Sequence, residues 1–290
     1  MSGPDRLFSL RNNFYLGAYQ AAINESNVGG LTEAQNVEKD CLVYRSYIAL
    51  GSYQLVIDEI NSSAATALQA VKLLAMYFLG GEKRGTISLS SLQEWLSDVA
   101  IANNPTLLMI AGTIYAQEQN FNEALKYTNG GGTLELHALN VQIFLKIYRT
   151  DHAEKQLKIM QQIDEDHTLT QLASAWLCLA LGGSKIQEAF YIFQELCEKY
   201  TWTVPIMNGR AVCNMHMGHF EDAETVLLEA LNKDAKDADT IANLIVCNLH
   251  LGKPTSRYLN QLKMVDPDHP LLKRSANAQE AFERALQNFS

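Results

Sequence analysis

Apolar positions between residues 103 and 128 recur with a helical period and change register once. Leu108, Ala111, Gly112 and Tyr115 lie three, one and three apart, which places them on one face of an α-helix. A short polar stretch from Gln117 to Asn120 separates them from Phe121, Ala124 and Leu125, which share a face of a second helix. Asn104 followed by Pro105 marks the start of the first helix. The Asn side chain can accept from a freed N–H, and proline lacks an N–H where none is needed. The small residues Ala111, Gly112 and Ala124 predict two backbones in close contact. A bulky side chain there would overpack, at about 1–3 kcal/mol. The pattern predicts a helical hairpin.

The hairpin is repeated. CNMHMG (Cys213 to Gly218) and CNLHLG (Cys247 to Gly252) stand thirty-four residues apart, as do Leu16-Gly17-Ala18-Tyr19 and Leu50-Gly51-Ser52-Tyr53, and Arg11 and Arg45. A fixed period in this range marks stacked helical hairpins. The order large, small, Gly, aromatic, then aromatic-x-x-Ala resembles the tetratricopeptide repeat. Aligning the units on one small position selects Ala22, Val56, Ala124, Ala153, Ala189, Ala223 and Arg257, in steps of 34, 68, 29, 36, 34 and 34. The step of 68 is two periods, so a degenerate unit should occupy about 71–104. Its helices are expected at Leu73–Leu79 and Leu89–Val99, with the glycine-bearing stretch at about 80–90 as an irregular insert.

Gly17, Gly51, Gly80, Gly182, Gly218 and Gly252 stand where a first helix ends, so each is expected in the left-handed region. Arg149-Thr150-Asp151 has no such glycine. Arg257 breaks the small-residue rule and predicts different packing for the last second helix. After Asp266-Pro267-Asp268-His269-Pro270 comes a closing, capping helix at about 270–288 with a polar face. The fold expected is all-α: one solenoid of tetratricopeptide-like hairpins over 1–290, either an open arc or curled.

Composition narrows the function. Net charge is −9, and no three basic residues are consecutive, which argues against nucleic acid as the main partner. The start MSGPDRLFSL is not a signal peptide, and the apolar run Leu172 to Leu181 is too short to span a bilayer. Five cysteines, an odd number, fit reduced thiols in the cytosol. Cys178, Cys213 and Cys247 recur about one repeat apart, so they should sit roughly 10 Å from one another as buried core residues. His216 and His219 flank Gly218, which ends the helix between them, and no HExxH motif is present. His216 recurs at His250, which leaves repeat geometry and ligand contact both open. No phosphate loop, GxSxG elbow or paired carboxylate appears. The expectation is no catalysis, no cofactor and no metal.

The tetratricopeptide resemblance implies an inner wall made by first helices. Carried onto this chain, its inward positions are Arg11, Phe14 and Tyr15; Arg45 and Ile48; Met109, Thr113 and Ala116; Asn208, Val212, Met215 and His216; and Val246, Leu249 and His250. The wall is mixed but rather apolar. Thr113, Val212 and Val246 occupy positions where a carboxylate clamp of the chaperone-binding members would want Asn. That speaks against a generic co-chaperone or peptide adaptor, the alternative reading, and for a large apolar partner surface.

Arg11 to Gln20 (RNNFYLGAYQ), just after Leu7-Phe8, resembles the start of the ε-subunit family of coatomer. Tyr44 to Tyr53 (YRSYIALGSY) is similar to that family's second repeat, and Asp268-His269-Pro270 with the closing helix fits its end. The resemblance implies a solenoid that closes around the carboxy-terminal part of the α-coatomer subunit. It implies a structural role in the coat of vesicles moving within the Golgi and from Golgi to endoplasmic reticulum. The place implied is cytoplasmic, peripheral on Golgi membranes and vesicles. Membrane contact would come through other coat subunits, without direct insertion.

Overall fold

In the computed structural model, which describes residues 5–80 and 84–288, helices pair in chain order as hairpins. They are α1 (Phe8–Tyr15) with α2 (Tyr19–Asn24), α3 (Glu33–Ala49) with α4 (Tyr53–Glu59), α5 (Thr66–Leu79) with α6 (Arg84–Ser97), and α7 (Pro105–Gln117) with α8 (Phe121–Thr128). Next comes α9 (Leu134–Lys146) with α10 (Thr150–Ile163), then α11 (Thr168–Leu181), which packs on α9 and α10, and α12 (Lys185–Lys199), which packs on α13; α13 (Val204–His216) pairs with α14 (Phe220–Lys233), and α15 (Ala238–His250) with α16 (Ser256–Val265). The closing helix is α17 (Pro270–Gln287). The described residues contain no strand; the fold is an all-α tetratricopeptide-like solenoid.

The repeat register is visible in the burial of the aligned position. Ala22, Val56, Ala124, Ala153, Ala189 and Ala223 are all wholly buried, each where a second helix meets its neighbours. The first-helix residue Gly112 must be small as well: a Cβ there would lie 2.3 Å from Thr128 Cγ2 and 2.9 Å from Leu139 Cδ2. Arg257, the exception, is exposed, and its helix α16 buries only Leu262. Asn104 caps α7 as its sequence predicts, Oδ1 accepting from Thr106 N at 3.0 Å and Leu107 N at 3.1 Å.

Two expectations are revised. The second helix of the degenerate unit starts at Arg84, not Leu89, so part of the expected insert is helical; residues 81–83 lie outside the described residues. Gly80 ends α5 with φ −67°, in the right-handed region, unlike Gly17, Gly51, Gly182, Gly218 and Gly252, all at positive φ. Where the equivalent position is not glycine, Gln119 and Tyr148 themselves take φ 59°.

The chain divides into two compact units, Met1–Gly182 and Gly183–Ser290. In the first, first helices stack in sequence, α1 on α3, α3 on α5, and onward through α7 and α9 to α11. Helix α1 also packs on α11, so this unit closes on itself. In the second, α13 stacks on α15, with α14 and α16 behind them. Leu271 and Leu272 join the core of α15 and α16, which covers the end of that core, whereas no residue of α17 is fully buried.

Candidate functional site

The closure of the first unit occupies much of the wall expected there. Arg45 donates from Nη1 to Glu135 Oε1 at 2.9 Å and Oε2 at 3.1 Å, while its guanidinium covers the Phe14 ring at 4.5 Å. Tyr15 lies beside the same carboxylate, and its ring meets His167 at 5.7 Å. Burial, then Glu135, pushes the Tyr15 hydroxyl well above the usual phenol range. Asn12 Oδ1 accepts from Thr168 Oγ1, which ties α1 to α11. Arg11 is held by Glu38 (Nε to Oε1, 2.5 Å) and Asp5 (Nη1 to Oδ2, 2.6 Å). Ile48 and Met109 are buried, and Thr113 donates to Met109 O at 2.9 Å. The first-unit positions are therefore largely taken up inside their own unit.

Asn208 likewise has partners inside its own unit. It is buried, donates to Thr240 Oγ1 at 2.7 Å and accepts from Asn243 Nδ2 at 2.9 Å. This polar ladder joins α13 to α15, where an unpaired amide would be costly. What remains accessible in the second unit is a patch of Val212, Met215 and His216 on α13 with Val246, Leu249 and His250 on α15. Leu249 is 62% exposed, a large apolar side chain presented to solvent. His250 stacks on Phe220 with ring centroids 4.4 Å apart and planes 10° apart, so its ring is positioned by the preceding hairpin. His216 ends α13 and His219 precedes α14 as its N-cap, with the turn at Gly218 between them as the sequence predicts.

The cysteines are core. All five are buried, and Cys247 Sγ donates to Phe220 O at 3.1 Å. Burial pushes the Cys41 thiol up to about 12 and the Cys197 thiol up to about 11, which leaves both protonated at neutral pH. Among the described residues no group of three or more His, Cys, Asp or Glu is arranged to hold a metal.

Comparison with known proteins decides the family. The sequence model for the coatomer epsilon subunit matches residues 3–290. The chain belongs to the coatomer epsilon-subunit family. It is 66% identical over 290 residues to coatomer subunit epsilon-1 of Arabidopsis thaliana, covering 100% of this chain and 99% of that one. It is 67% identical over 287 residues to coatomer subunit epsilon-1 of Oryza sativa subsp. japonica, covering 99% of each. Coatomer subunit epsilon of Dictyostelium discoideum is 36% identical over 297 residues, again with 99% of each covered. Two solved structures share the fold. A tetratricopeptide repeat protein from Parabacteroides merdae has TM-score 0.59 at 16% identity, over 88% of this chain and 98% of that one. A chain of the APC/C hetero-tetramer Cut9-Hcn1 has TM-score 0.61 at 14% identity, over 93% of this chain and 55% of that one. A coatomer epsilon subunit is a structural coat component and not an enzyme. No described helix is long and apolar enough to cross a membrane.

Glu135, Asn12, His167 and Thr168 are missing from the wall read in the sequence. Glu135 is ninety positions from Arg45, and Thr168 is 156 from Asn12. A repeat pattern relates neighbouring hairpins and carries no signal for pairs so distant.

Proposed function

We propose that this epsilon-family chain binds and stabilises the carboxy-terminal part of the α-coatomer subunit through the α13–α15 patch of its second unit. On this reading it works in the coat of vesicles moving within the Golgi and from Golgi to endoplasmic reticulum. It resides in the cytoplasm and meets Golgi membranes through other coat subunits. The carrying observation is the exposure of Leu249 beside Val246 and Met215, with His250 held on Phe220 at its edge. Apolar side chains presented together on neighbouring helices mark a protein-binding surface. The first-unit residues Arg11, Phe14, Tyr15 and Arg45 act in this proposal as the brace of their own unit.

The test is copurification of the α subunit with tagged Met215→Arg and Leu249→Arg chains. Each arginine would place a charge in the apolar contact, and a large fall in recovered α subunit is expected. Wild-type recovery from both variants, with unchanged melting, removes the patch from the proposal.

A further inference from the structure

A groove of about 680 Å³ lies on the second unit, walled by α12, α13 and α14. Its floor carries Arg210 between two rings, 5.4 Å from the Phe190 centroid and 5.0 Å from that of Trp202. Both rings lie within cation–π distance of the guanidinium. Nε is buried without a hydrogen-bond partner, and none of the ion pairs among the described residues includes Arg210. Thirty-four residues on, at the equivalent position of the next hairpin, stands Leu244, wholly buried. Arginine therefore stands where the next hairpin has an apolar packing residue, and it makes no ion pair among the described residues. Breaks of a local rule without a local compensation concentrate at functional sites.

The opposite wall has the complementary feature. Asp222 and Glu229, seven residues apart on α14, line the same groove and join no ion pair among the described residues. Residues two turns apart on a helix share a face. Arg210 lies about half a turn around α13 from Val212 and Met215, so the groove and the proposed α-subunit patch use opposite faces of that helix.

We infer that this groove docks an extended segment of another protein that carries both charges, an Asp or Glu side chain for Arg210 and a Lys or Arg for Asp222 and Glu229. Arginine pairs with a carboxylate through two parallel N–H donors, and the flanking rings exclude water from the pair. The volume suits a few side chains of a peptide rather than a folded surface. Aromatic and arginine side chains together are the composition of interface anchors.

The probe is a displayed library of random short peptides selected on the full chain. The counter-screen is Arg210→Leu, whose new residue is the one the next hairpin already carries. Selected peptides should share an acidic residue at fixed spacing from a basic one. They should bind Arg210→Leu at least about tenfold more weakly, the scale of losing a charge-assisted pair. Binding should also fall with Asp222→Asn plus Glu229→Gln. The Arg210→Leu chain should melt no lower than wild type, which shows that the loss is not unfolding, and should copurify α subunit normally. A selection without such a family, or one that binds Arg210→Leu equally well, overturns the inference. Loss of α subunit from Met215→Arg bears on the other face and leaves this result untouched.

Discussion

Arg45 and Glu135 meet across ninety positions of sequence, with both carboxylate oxygens accepting from one guanidinium nitrogen at 2.9 and 3.1 Å. The pair joins α3 to α9 inside the first unit, and Phe14 and Tyr15 close over it. Both side chains are largely withdrawn from water, so the pair needs its geometry to offset lost hydration. Removing one partner strands the other. Glu135→Gln or Arg45→Ala should therefore destabilise the chain by about 2 kcal/mol, the scale of a hydrogen bond to a charged group. Urea unfolding of each variant checks this. The apolar pair Arg45→Met with Glu135→Leu should recover much of the loss; two additive losses would show that the coupling is absent.

Gln119 and Tyr148 occupy the turn position that glycine holds elsewhere, both at φ 59°. The left-handed region costs a residue with a Cβ roughly 1–2 kcal/mol, part of which glycine returns as unfolded-chain entropy. Tyr148 is 84% exposed, so little packing is lost with its ring. Tyr148→Gly should raise stability by about 0.5–1 kcal/mol. Gly218→Ala, at φ 82° in open space, should lower it by a similar amount. A destabilised Tyr148→Gly in thermal melting would mean that its ring has a packing role.

The wholly buried Ala223 tests the repeat register. Ala223→Phe should overpack α14 against α13 and cost about 1–3 kcal/mol. Unmoved melting would place the close approach elsewhere.

His167 gives the first unit a pH dependence. Its ring caps α11, Nδ1 accepting from Leu169 N at 3.1 Å. Burial holds its pKa below the usual histidine value. The unfolded chain then binds the proton more readily than the folded one. The contribution is complete above the unfolded value of about 6.5 and declines as pH falls below it. Stability measured between neutral and mildly acid pH should drop in wild type and drop less in His167→Asn, which keeps a capping acceptor that does not titrate. Equal slopes would assign the acid sensitivity to another group.

Much of the fold was legible in the chain because each hairpin is a local object. The Asn104 cap, the Ala223 contact and the Gly218 turn involve residues within one or two helices, and spacing reports them directly. The helix at Arg84 was not legible because glycines at 80, 81 and 85 read as a connection. The wall positions differ in what the fold does with them. Val212, Met215, Val246 and Leu249 lie on the first helices α13 and α15, but period alone does not distinguish an accessible position from one answered by a distant partner. Asn208 looks like a wall residue in sequence and is consumed by Thr240 and Asn243 in the fold.

The sequence by itself determined the repeating hairpin, its register and, through RNNFYLGAYQ, the family, because these depend on neighbours and on local strings. Only the tertiary structure decided that α1 closes on α11, that Arg45 is spent on Glu135, and that Arg210 stands between two rings without a carboxylate. Small departures of each hairpin from ideal packing accumulate along a stack. Where its distant faces meet is a property of the sum, and no single repeat contains it.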